Sequence, residues 1–273
     1  MHLSQRSIVQ ATLLIVGLLG VLAAIAWQQR PDGYLHISLL TVTGDAALLR
    51  TPAGRFVLID GGSEGDQLLL LLGRLMPFWQ RDLQAVILTG TDSKRVPGQV
   101  AALSHYAIGY ALAPPGLERT GYAGEWQRLL GAQATPVAKL RPGQRFALDG
   151  VVFVVIDVQE GKEGGVVLLV TYGTTRVLFH TGGRDGDQAA LRAAKDPVDL
   201  LIYPWARELQ TSAVQQLRPR AIAFSSAYST EHSVLLSYAE RRRFSPQVQH
   251  PRADGRIEWM SDGRTARIVL HPD

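Results

Sequence analysis

The chain contains no cysteine in its 273 residues. This absence excludes disulfide bonds, thiolate metal ligands and a cysteine nucleophile, and it fits an exported protein as well as a cytosolic one. Lysine is scarce, since the sequence holds only Lys94, Lys139, Lys162 and Lys195, and arginine supplies nearly all of the positive charge. The net charge of +4 is mild for this length, so charge alone does not predict a nucleic-acid partner.

Several motifs of catalysis and nucleotide binding are also missing. The chain has no G-x-x-x-x-G-K-[ST] loop and no G-x-G-x-x-G sequence, and none of Ser93, Ser225 and Ser226 lies in a G-x-S-x-G context. No two histidines have the i, i+2 or i, i+4 spacing of a metal site. A phosphate-binding P-loop and a dinucleotide-binding loop are therefore excluded, and none of these three serines forms the nucleophile elbow of α/β-hydrolases.

The N-terminal region does contain a long apolar segment, over residues 8–27. A helix that crosses a bilayer needs about 20 such residues, and this segment has that length. Arg6 precedes it, and Trp27 lies at its far end, where interfacial aromatic residues are expected. We predict an uncleaved transmembrane anchor. A cleaved signal peptide stays open as an alternative, because Ala24-Ile25-Ala26 resembles a cleavage site.

This anchor divides the chain into a cytoplasmic tail (1–7), the transmembrane helix (8–27), a linker (28–33) and one domain (34–273). Arg6 and Arg30 flank the apolar segment and give only a small charge difference. We place the N-terminus in the cytoplasm and the domain outside the cell membrane, in a single-pass arrangement. No linker interrupts the sequence beyond residue 33, so we expect a single domain.

Apolar runs and turns alternate through that domain in the manner of an α/β fold. A strand hairpin over 35–59 is followed by helices over 64–75 and 97–105, with a buried strand over 85–89 between them. A meander of strands comes next, then repeated strand–helix pairs with helices over 187–195 and 231–243, and a closing hairpin around Asp262-Gly263. The order predicts one mixed α/β domain in which helices pack on sheets.

The loop from Gly90 to Arg95 follows the buried strand directly and precedes the helix that begins near Pro97. Loops at the ends of buried strands commonly carry chemistry, because the rigid strand positions them. We therefore treat this loop as the first candidate for a functional site.

Short motifs in a fixed order give the chain a resemblance to a known family. It resembles the metallo-β-lactamase family, and most of all the domain fused to the competence DNA-uptake channel of the ComEC/Rec2 type. The matching motifs are Thr43-Gly44-Asp45-Ala46, Ile59-Asp60-Gly61-Gly62, Val86-Ile87-Leu88-Thr89, Phe179-His180-Thr181-Gly182 and Asp199-Leu200-Leu201-Ile202-Tyr203-Pro204. The resemblance covers roughly residues 35–270 and implies a four-layer αβ/βα sandwich, preceded here by the transmembrane helix.

The resemblance also locates the metal ligands of that family, and this chain lacks most of them. The H-x-H-x-D-H loop falls on Gly90, Asp92, Lys94 and Arg95. The aspartate of the L-T-G-D motif falls on Gly183, and the first histidine of H-H-G-S falls on Trp205. Of these residues only Asp92 has a metal-binding group. The resemblance therefore implies a degenerate site with no metal and no catalytic residue.

Two alternatives for the loop remain open. An active phosphodiesterase or nuclease with zinc or manganese can be built from Asp92, His180 and either Asp185 or Asp187, although capping of a helix is the simpler role for the last two. The cations of Lys94 and Arg95 can instead hold an anion such as phosphate. Equally, Lys94 can pair with Asp92 or point into solvent.

A further group of arginines is spread over the last quarter of the chain, where interleaved acids favour an ordinary solvated surface over a basic face. They are Arg218, Arg220, Arg241, Arg242, Arg243, Arg252 and Arg256. The sequence as a whole predicts a membrane-anchored, catalytically inactive domain that acts in binding or assembly. Its predicted partners are the cytoplasmic membrane, DNA or another polyanion, and competence or envelope proteins.

Overall fold

Two sheets stand at the centre of the structure, which is a computed structural model. It describes residues 13–18, 20–21, 30–117, 121–160, 164–181, 189–190, 192, 197–203, 211–224, 245 and 247–272. Residues 13–18 and 20–21 are helical, and the rest of the predicted anchor lies outside the described residues. Within the part of the chain that is described, no helix is both long and apolar enough to cross a membrane.

The described residues include seventeen strands, which we number in chain order. They are β1 Leu35–Leu39, β2 Ala46–Arg50, β3 Phe56–Asp60, β4 Asp82–Leu83, β5 Ala85–Ile87, β6 Ala107–Ile108, β7 Ala111–Ala113, β8 Val137–Lys139, β9 Arg145–Leu148, β10 Val151–Gln159, β11 Gly165–Tyr172, β12 Thr175–His180, β13 Leu200–Tyr203, β14 Ala221–Phe224, β15 Gln247–Gln249, β16 Arg256–Ser261 and β17 Ala266–His271. The helices are α1 Gly65–Leu75, α2 Val96–Leu103, α3 Ala123–Ala132, α4 Thr211–Leu217 and α5 Pro251–Asp254.

Each large sheet has an antiparallel half and a parallel half. The first sheet has the order β17-β16-β1-β2-β3-β5-β7-β8, and the second has the order β15-β14-β13-β12-β11-β10-β9. Pairing is antiparallel from β17 to β3 and from β9 to β12, and parallel in the remainder. Hairpins connect the antiparallel strands except β1 and β16, which come from opposite ends of the domain sequence. The parallel strands β3, β5 and β7 therefore bring their carboxyl ends to one edge, which we call the apical end. The opposite edge, where these strands begin, is the basal end.

Three apolar clusters define the layers. The largest lies between the sheets and includes Phe153, Phe179 and Trp259. The second packs α1, α2 and α3 on the outer face of the first sheet, around Trp126. The third packs α4 on the outer face of the second sheet. The predicted mixed α/β sandwich is confirmed.

The differences from the predicted elements are small. The first strand ends at Leu39 rather than Thr43, because the chain turns there and the amide of Val42 bonds to the carbonyl oxygen of Leu40. The strand β8 was not predicted, since its residues are exposed or half-buried and show no apolar run. The helices predicted over 187–195 and 231–243 lie almost entirely outside the described residues.

Candidate functional site

Three loops meet at the apical end of the first sheet. The first connects β1 to β2, the second follows β3, and the third follows β5 and leads into α2. Backbone hydrogen bonds join all three: the amide of Asp45 donates to the carbonyl oxygen of Lys94 at 3.0 Å, and the amide of Gly62 donates to that of Asp45 at 2.8 Å. The amide of Gly98 in α2 bonds in turn to Gly62, at 3.0 Å. The candidate loop is therefore held on a rigid support.

Gly44 allows the first and third loops to approach each other. Its φ of +94° lies in the region that side chains disfavour, and a Cβ atom there would overlap with the carbonyl oxygen of Lys94. Any larger residue at this position would separate the loops and break the bond between Asp45 and Lys94.

The side chain of Arg95 is turned inward at this junction and is buried. Its Nε donates to Oδ2 of Asp45 at 2.9 Å, and its Nη1 donates to Oδ2 of Asp92 at 2.7 Å. Oδ2 of Asp60, at the end of β3, lies 3.8 Å from the same Nε. One guanidinium thus lies among three carboxyl groups, and we call Asp45, Asp60, Asp92 and Arg95 the buried charge cluster.

Gly90 makes room for this arrangement. A Cβ atom at position 90 would overlap with Nη1 of Arg95 and lie close to the rest of its guanidinium. The guanidinium therefore fills the space that a side chain at position 90 would need. A histidine there, as the resemblance requires of a metal site, is incompatible with the inward position of Arg95.

Asp60 is the most deeply buried carboxyl group of the cluster. Both the amide and the hydroxyl of Thr89 donate to its oxygens, the amide at 2.7 Å. Burial is the largest effect on the pKa of Asp60 and raises it; Arg95 opposes this, the charge of Asp45 adds to it, and the net pKa is about 7. This carboxyl group therefore exchanges its proton near neutral pH.

Arg95 stays charged in spite of its burial. Removal from water alone would lower its pKa, but the attraction of Asp45, Asp60 and Asp92 outweighs that effect and raises the pKa above its ordinary value. A guanidinium in such a position is a permanent cation with fixed hydrogen-bond directions.

Lys94 and Asp92 form the outer part of the loop. The backbone amide of Lys94 donates to Oδ1 of Asp92 at 2.8 Å, and the side chain of Lys94 is exposed at the surface. The structure thus brings together Gly90, Asp92, Lys94 and Arg95, as the sequence order requires, but directs the two cations in opposite senses. Lys94 faces solvent, whereas Arg95 is committed to carboxylates.

The donor set of this loop does not fit the metal centre that the resemblance would imply. The oxygens of Asp45 and Asp92 already accept hydrogen bonds from a cation, and a metal ion in the same space would meet the positive charge of Arg95. Among the described residues there is no group of three or more histidine, cysteine, aspartate or glutamate side chains arranged to hold a metal.

His180 lies at the end of β12, in the second sheet, whereas the buried charge cluster lies on the first. Its neighbours Val177 and Phe179 belong to the central apolar cluster, so alternation along the strand directs His180 to the outer face with Leu178. There its ring packs edge-on against Tyr203, with centroids 5.3 Å apart. Among the described residues, His180 and Asp92 belong to no group of three or more potential metal ligands.

Other predicted residues cannot be located. Gly183, Asp185, Asp187 and Trp205 lie outside the described residues, as do Arg241, Arg242 and Arg243.

Arg256 donates to Ser38 and to Glu258 on β16. Arg220 lies instead at the basal end, where it forms an ion pair with Asp199 at 3.2 Å. Arg220 and Arg256 therefore do not share one face.

Sequence reasoning missed two members of the cluster, Asp45 and Asp60. Both were visible, because each is an acid beside glycines at the end of an apolar run, in motifs that carry the family resemblance. Nothing in the local sequence, however, indicated that Arg95 would reach back to Asp45, which lies 50 residues earlier in the chain.

Comparison with known proteins gives the class of fold. No protein-family model matches the chain, and no curated protein matches it. The metallo-β-lactamase fold protein YhfI from Bacillus subtilis is similar in structure, with a TM-score of 0.60 and 14% identity, over 84% of this chain and 100% of that one. The chain therefore has the metallo-β-lactamase fold.

Two further structures agree with this assignment. Zn²⁺-bound PqqB from Methylobacterium extorquens has a TM-score of 0.58 at 12% identity, over 79% of this chain and 97% of that one. CmlA from Streptomyces venezuelae, a diiron β-hydroxylase, has a TM-score of 0.55 at 13% identity, over 87% of this chain and 54% of that one. Identities this low establish the fold alone, and the likeness to the ComEC/Rec2 type stays a prediction.

Proposed function

We propose that the chain is a membrane-anchored domain of the metallo-β-lactamase fold that binds or assembles rather than hydrolyses, related to the ComEC/Rec2 type. The observation that carries this proposal is the position of Arg95. Its guanidinium lies among Asp45, Asp60 and Asp92 in the loop where the resemblance puts the metal ligands. The neighbours PqqB and CmlA, by contrast, are described as zinc-bound and diiron proteins.

The chemistry of a guanidinium supports a non-hydrolytic role. Hydrolases of this fold class that use a metal obtain hydroxide at neutral pH from water whose pKa the metal lowers. Arg95 donates hydrogen bonds but has no vacant coordination position, and it cannot act as a base at neutral pH. The cation at this site therefore neutralises carboxylates and fixes loops, without activating water.

Metal analysis of the purified full chain tests this proposal. We expect zinc, manganese and iron at background levels after dialysis, and no hydrolysis of bis-p-nitrophenyl phosphate above the uncatalysed rate when zinc or manganese is added. A nearly stoichiometric, tightly held metal would overturn the proposal. So would hydrolysis that is lost in Asp92→Ala.

The anchoring part of the proposal is supported by the apolar segment 8–27, which is long enough to cross a bilayer. We place the domain outside the cytoplasmic membrane, with the partners expected of an uptake or envelope system. A competence channel protein is one such partner.

DNA or another polyanion is the proposed ligand of the domain, on the strength of the resemblance, the mild positive charge and the exposed Lys94 at the apical loop. We expect weak binding of fluorescently labelled single-stranded DNA that falls steeply as salt increases. Lys94→Gln should weaken this binding, whereas the control Arg128→Gln, which removes a positive charge from α3 outside the apical loop, should not. Binding that is unaffected by salt and by Lys94→Gln would contradict the assignment of the ligand.

A further inference from the structure

Two large aromatic side chains are exposed together at the basal end. Phe78 and Trp79, in the loop between α1 and β4, are 57% and 44% exposed and pack edge to face with centroids 4.8 Å apart. Single exposed apolar residues are ordinary on protein surfaces, but an adjacent aromatic pair offers a contiguous apolar surface of the kind that binds a partner or a membrane.

The aromatic pair lies beside the point at which the chain enters the domain. Trp79 lines a groove of about 310 Å³ together with Arg30, Pro31 and Arg50. The chain then passes Gly33, whose carbonyl oxygen accepts a hydrogen bond from the hydroxyl of Tyr172 at 3.2 Å, and enters β1. The entering chain therefore runs between the loop of Phe78 and the turn that follows Tyr172.

Arginines flank this point on both sides. Arg30, Arg74 and Arg81 are exposed around the aromatic pair, and Arg50 is half-buried there. On the other side, a groove of about 530 Å³ is lined by Arg176, Arg220 and Arg264.

The basal end also carries five aspartates, and each of them forms an ion pair or accepts a hydrogen bond within the domain. Asp32 pairs with His36, Asp149 with Arg55, and Asp199 with Arg220. Asp82 accepts a hydrogen bond from Gln80, and Asp262 caps its own turn. The described arginines of this end outnumber these five aspartates, so its net charge is positive; they are Arg30, Arg50, Arg55, Arg74, Arg81, Arg176, Arg220 and Arg264.

We propose that this basal end binds the surface of the membrane, with the rings of Phe78 and Trp79 at the level of the lipid headgroups and the arginines against anionic lipid phosphates. We call the surface defined by Arg30, Phe78, Trp79, Arg81, Arg220 and Arg264 the basal face. The proposal rests on the anchoring by residues 8–27 proposed above, and it adds a second contact and a fixed orientation.

The short connection to the anchor favours the membrane over a protein or nucleic-acid partner. From Trp27 to Arg30 there are three residue steps, which span at most about 11 Å even when fully extended. A basal face on so short a tether stays within reach of the headgroups. Aromatic rings and arginines are the side chains suited to that interface, since the rings tolerate its mixed polarity and the guanidinium binds phosphate. In this orientation, the apical loops with Lys94 and Arg95 point away from the membrane.

The absence of cysteine allows a direct test with site-specific labels on the full chain in vesicles of phosphatidylcholine and phosphatidylglycerol. Single variants Gln80→Cys and Thr174→Cys place an environment-sensitive fluorophore on either side of the basal face. Leu270→Cys places it on an exposed apical position. Val16→Cys places it in the apolar segment. Quenching by lipids with a nitroxide near the headgroup, or on the acyl chain for position 16, then reports contact with the bilayer.

We expect quenching at positions 16, 80 and 174 and none at position 270. Phe78→Ser with Trp79→Ser, in the Gln80→Cys chain, should reduce the quenching at position 80 several-fold while the circular dichroism spectrum stays unchanged. Vesicles of phosphatidylcholine alone should reduce it as well, and equal quenching in both lipid mixtures would overturn the role given to the arginines.

Three other results would contradict the proposal in separable ways. Quenching at 16 but not at 80 or 174 would leave the anchor in place and remove the basal face. No quenching at 16 would remove the anchor, and with it the orientation. A spectral shift at 80 that does not depend on the lipid quencher, or that appears only on addition of single-stranded DNA, would assign the face to a protein or nucleic-acid partner instead.

Discussion

Gly90 and Arg95 share one small space at the end of β5, and only one of them can fill it with a side chain. The guanidinium of Arg95 lies where a Cβ atom on Gly90 would be, and it is held there by Asp45 and Asp92. The absence of a side chain at position 90 and the inward position of Arg95 therefore depend on each other.

The first prediction concerns Gly90→Ala. The added methyl group would displace the guanidinium and weaken its hydrogen bonds to Asp45 and Asp92, so we expect a loss of stability of about 1–3 kcal/mol, as for overpacking in other cores. Urea unfolding of the purified full chain measures it. Gly73→Ala is the matched control, because a Cβ there meets nothing within 4 Å and the position is inside α1. It should stabilise by about 0.5–1 kcal/mol. Equal effects of the two variants would contradict the packing described for Gly90.

The second prediction concerns Arg95→Ala, which leaves the carboxyl groups of the cluster without a cation. Breaking a buried ion pair from one side typically costs about 3–5 kcal/mol, and we expect a loss of that order. Arg128→Gln breaks an exposed ion pair, which water and salt screen, and should leave the melting temperature nearly unchanged. Thermal unfolding followed by circular dichroism compares the two.

Guanidinium rescue separates the charge of Arg95 from its bulk. Guanidinium chloride, at concentrations far below those that denature proteins, should raise the melting temperature of Arg95→Ala by binding to the vacated carboxylates. The same addition should not stabilise the unsubstituted chain. If guanidinium and sodium chloride act alike on Arg95→Ala, the carboxylates do not form a cation site.

The third prediction follows from the raised pKa of Asp60, about 7 in the fold against an ordinary value of 3.8. The folded state binds this proton more tightly than the unfolded chain, so stability falls as the pH rises from about 4 to about 7 and then levels off. We expect a contribution on the order of 2–4 kcal/mol over that range. Asp60→Asn does not titrate, so the unsubstituted chain should lose stability relative to it between these pH values. A stability difference that stays constant over this range would contradict the raised pKa, because it would show that Asp60 binds no extra proton in the fold.

The fourth prediction concerns Glu258, on β16, whose pKa has the opposite shift. Burial opposes the shift, but hydrogen bonds from His36 and His271 and the charge of Arg256 lower its pKa to about 2. This contribution to stability is present above pH 4.5 and is lost as the pH falls towards 2. We expect Glu258→Gln to cost roughly 2–3 kcal/mol at pH 6 and to flatten the acid limb of the stability curve. An unchanged acid limb in chemical denaturation would contradict this assignment.

The sequence was sufficient for the order of the elements, because apolar periodicity is a local property. The hairpin that leads to Asp60, the helix α1 and the strand β5 were all predicted from it. The strand β8 was not, because Val137 and Lys139 are exposed and carry no apolar pattern. The resemblance supplied the sandwich architecture, which the structural comparison confirmed at the level of the fold.

The candidate site was predictable in position but not in content. The local sequence indicated a loop at the end of β5, and the structure has it there. The local sequence indicated the same role for Lys94 and Arg95, since adjacent cations can together hold an anion. Their difference arises from Asp45 and Asp60, which come from other loops and turn one of the two cations inward. Contacts between residues so distant in sequence leave no local signal.

Arg95, the cation of the buried charge cluster, is covalently part of the chain, and this affects how the protein depends on the conditions of its synthesis. The charge of Arg95 arrives with synthesis of the chain, in a fixed ratio of one to one, and no import system, chaperone or chelator can change that ratio. Zinc and iron become scarce for many cells, and proteins that need them then accumulate in an empty form. On the proposed function, in which Arg95 stands in the place of a metal ion, the abundance of the folded domain should therefore be independent of the trace-element supply.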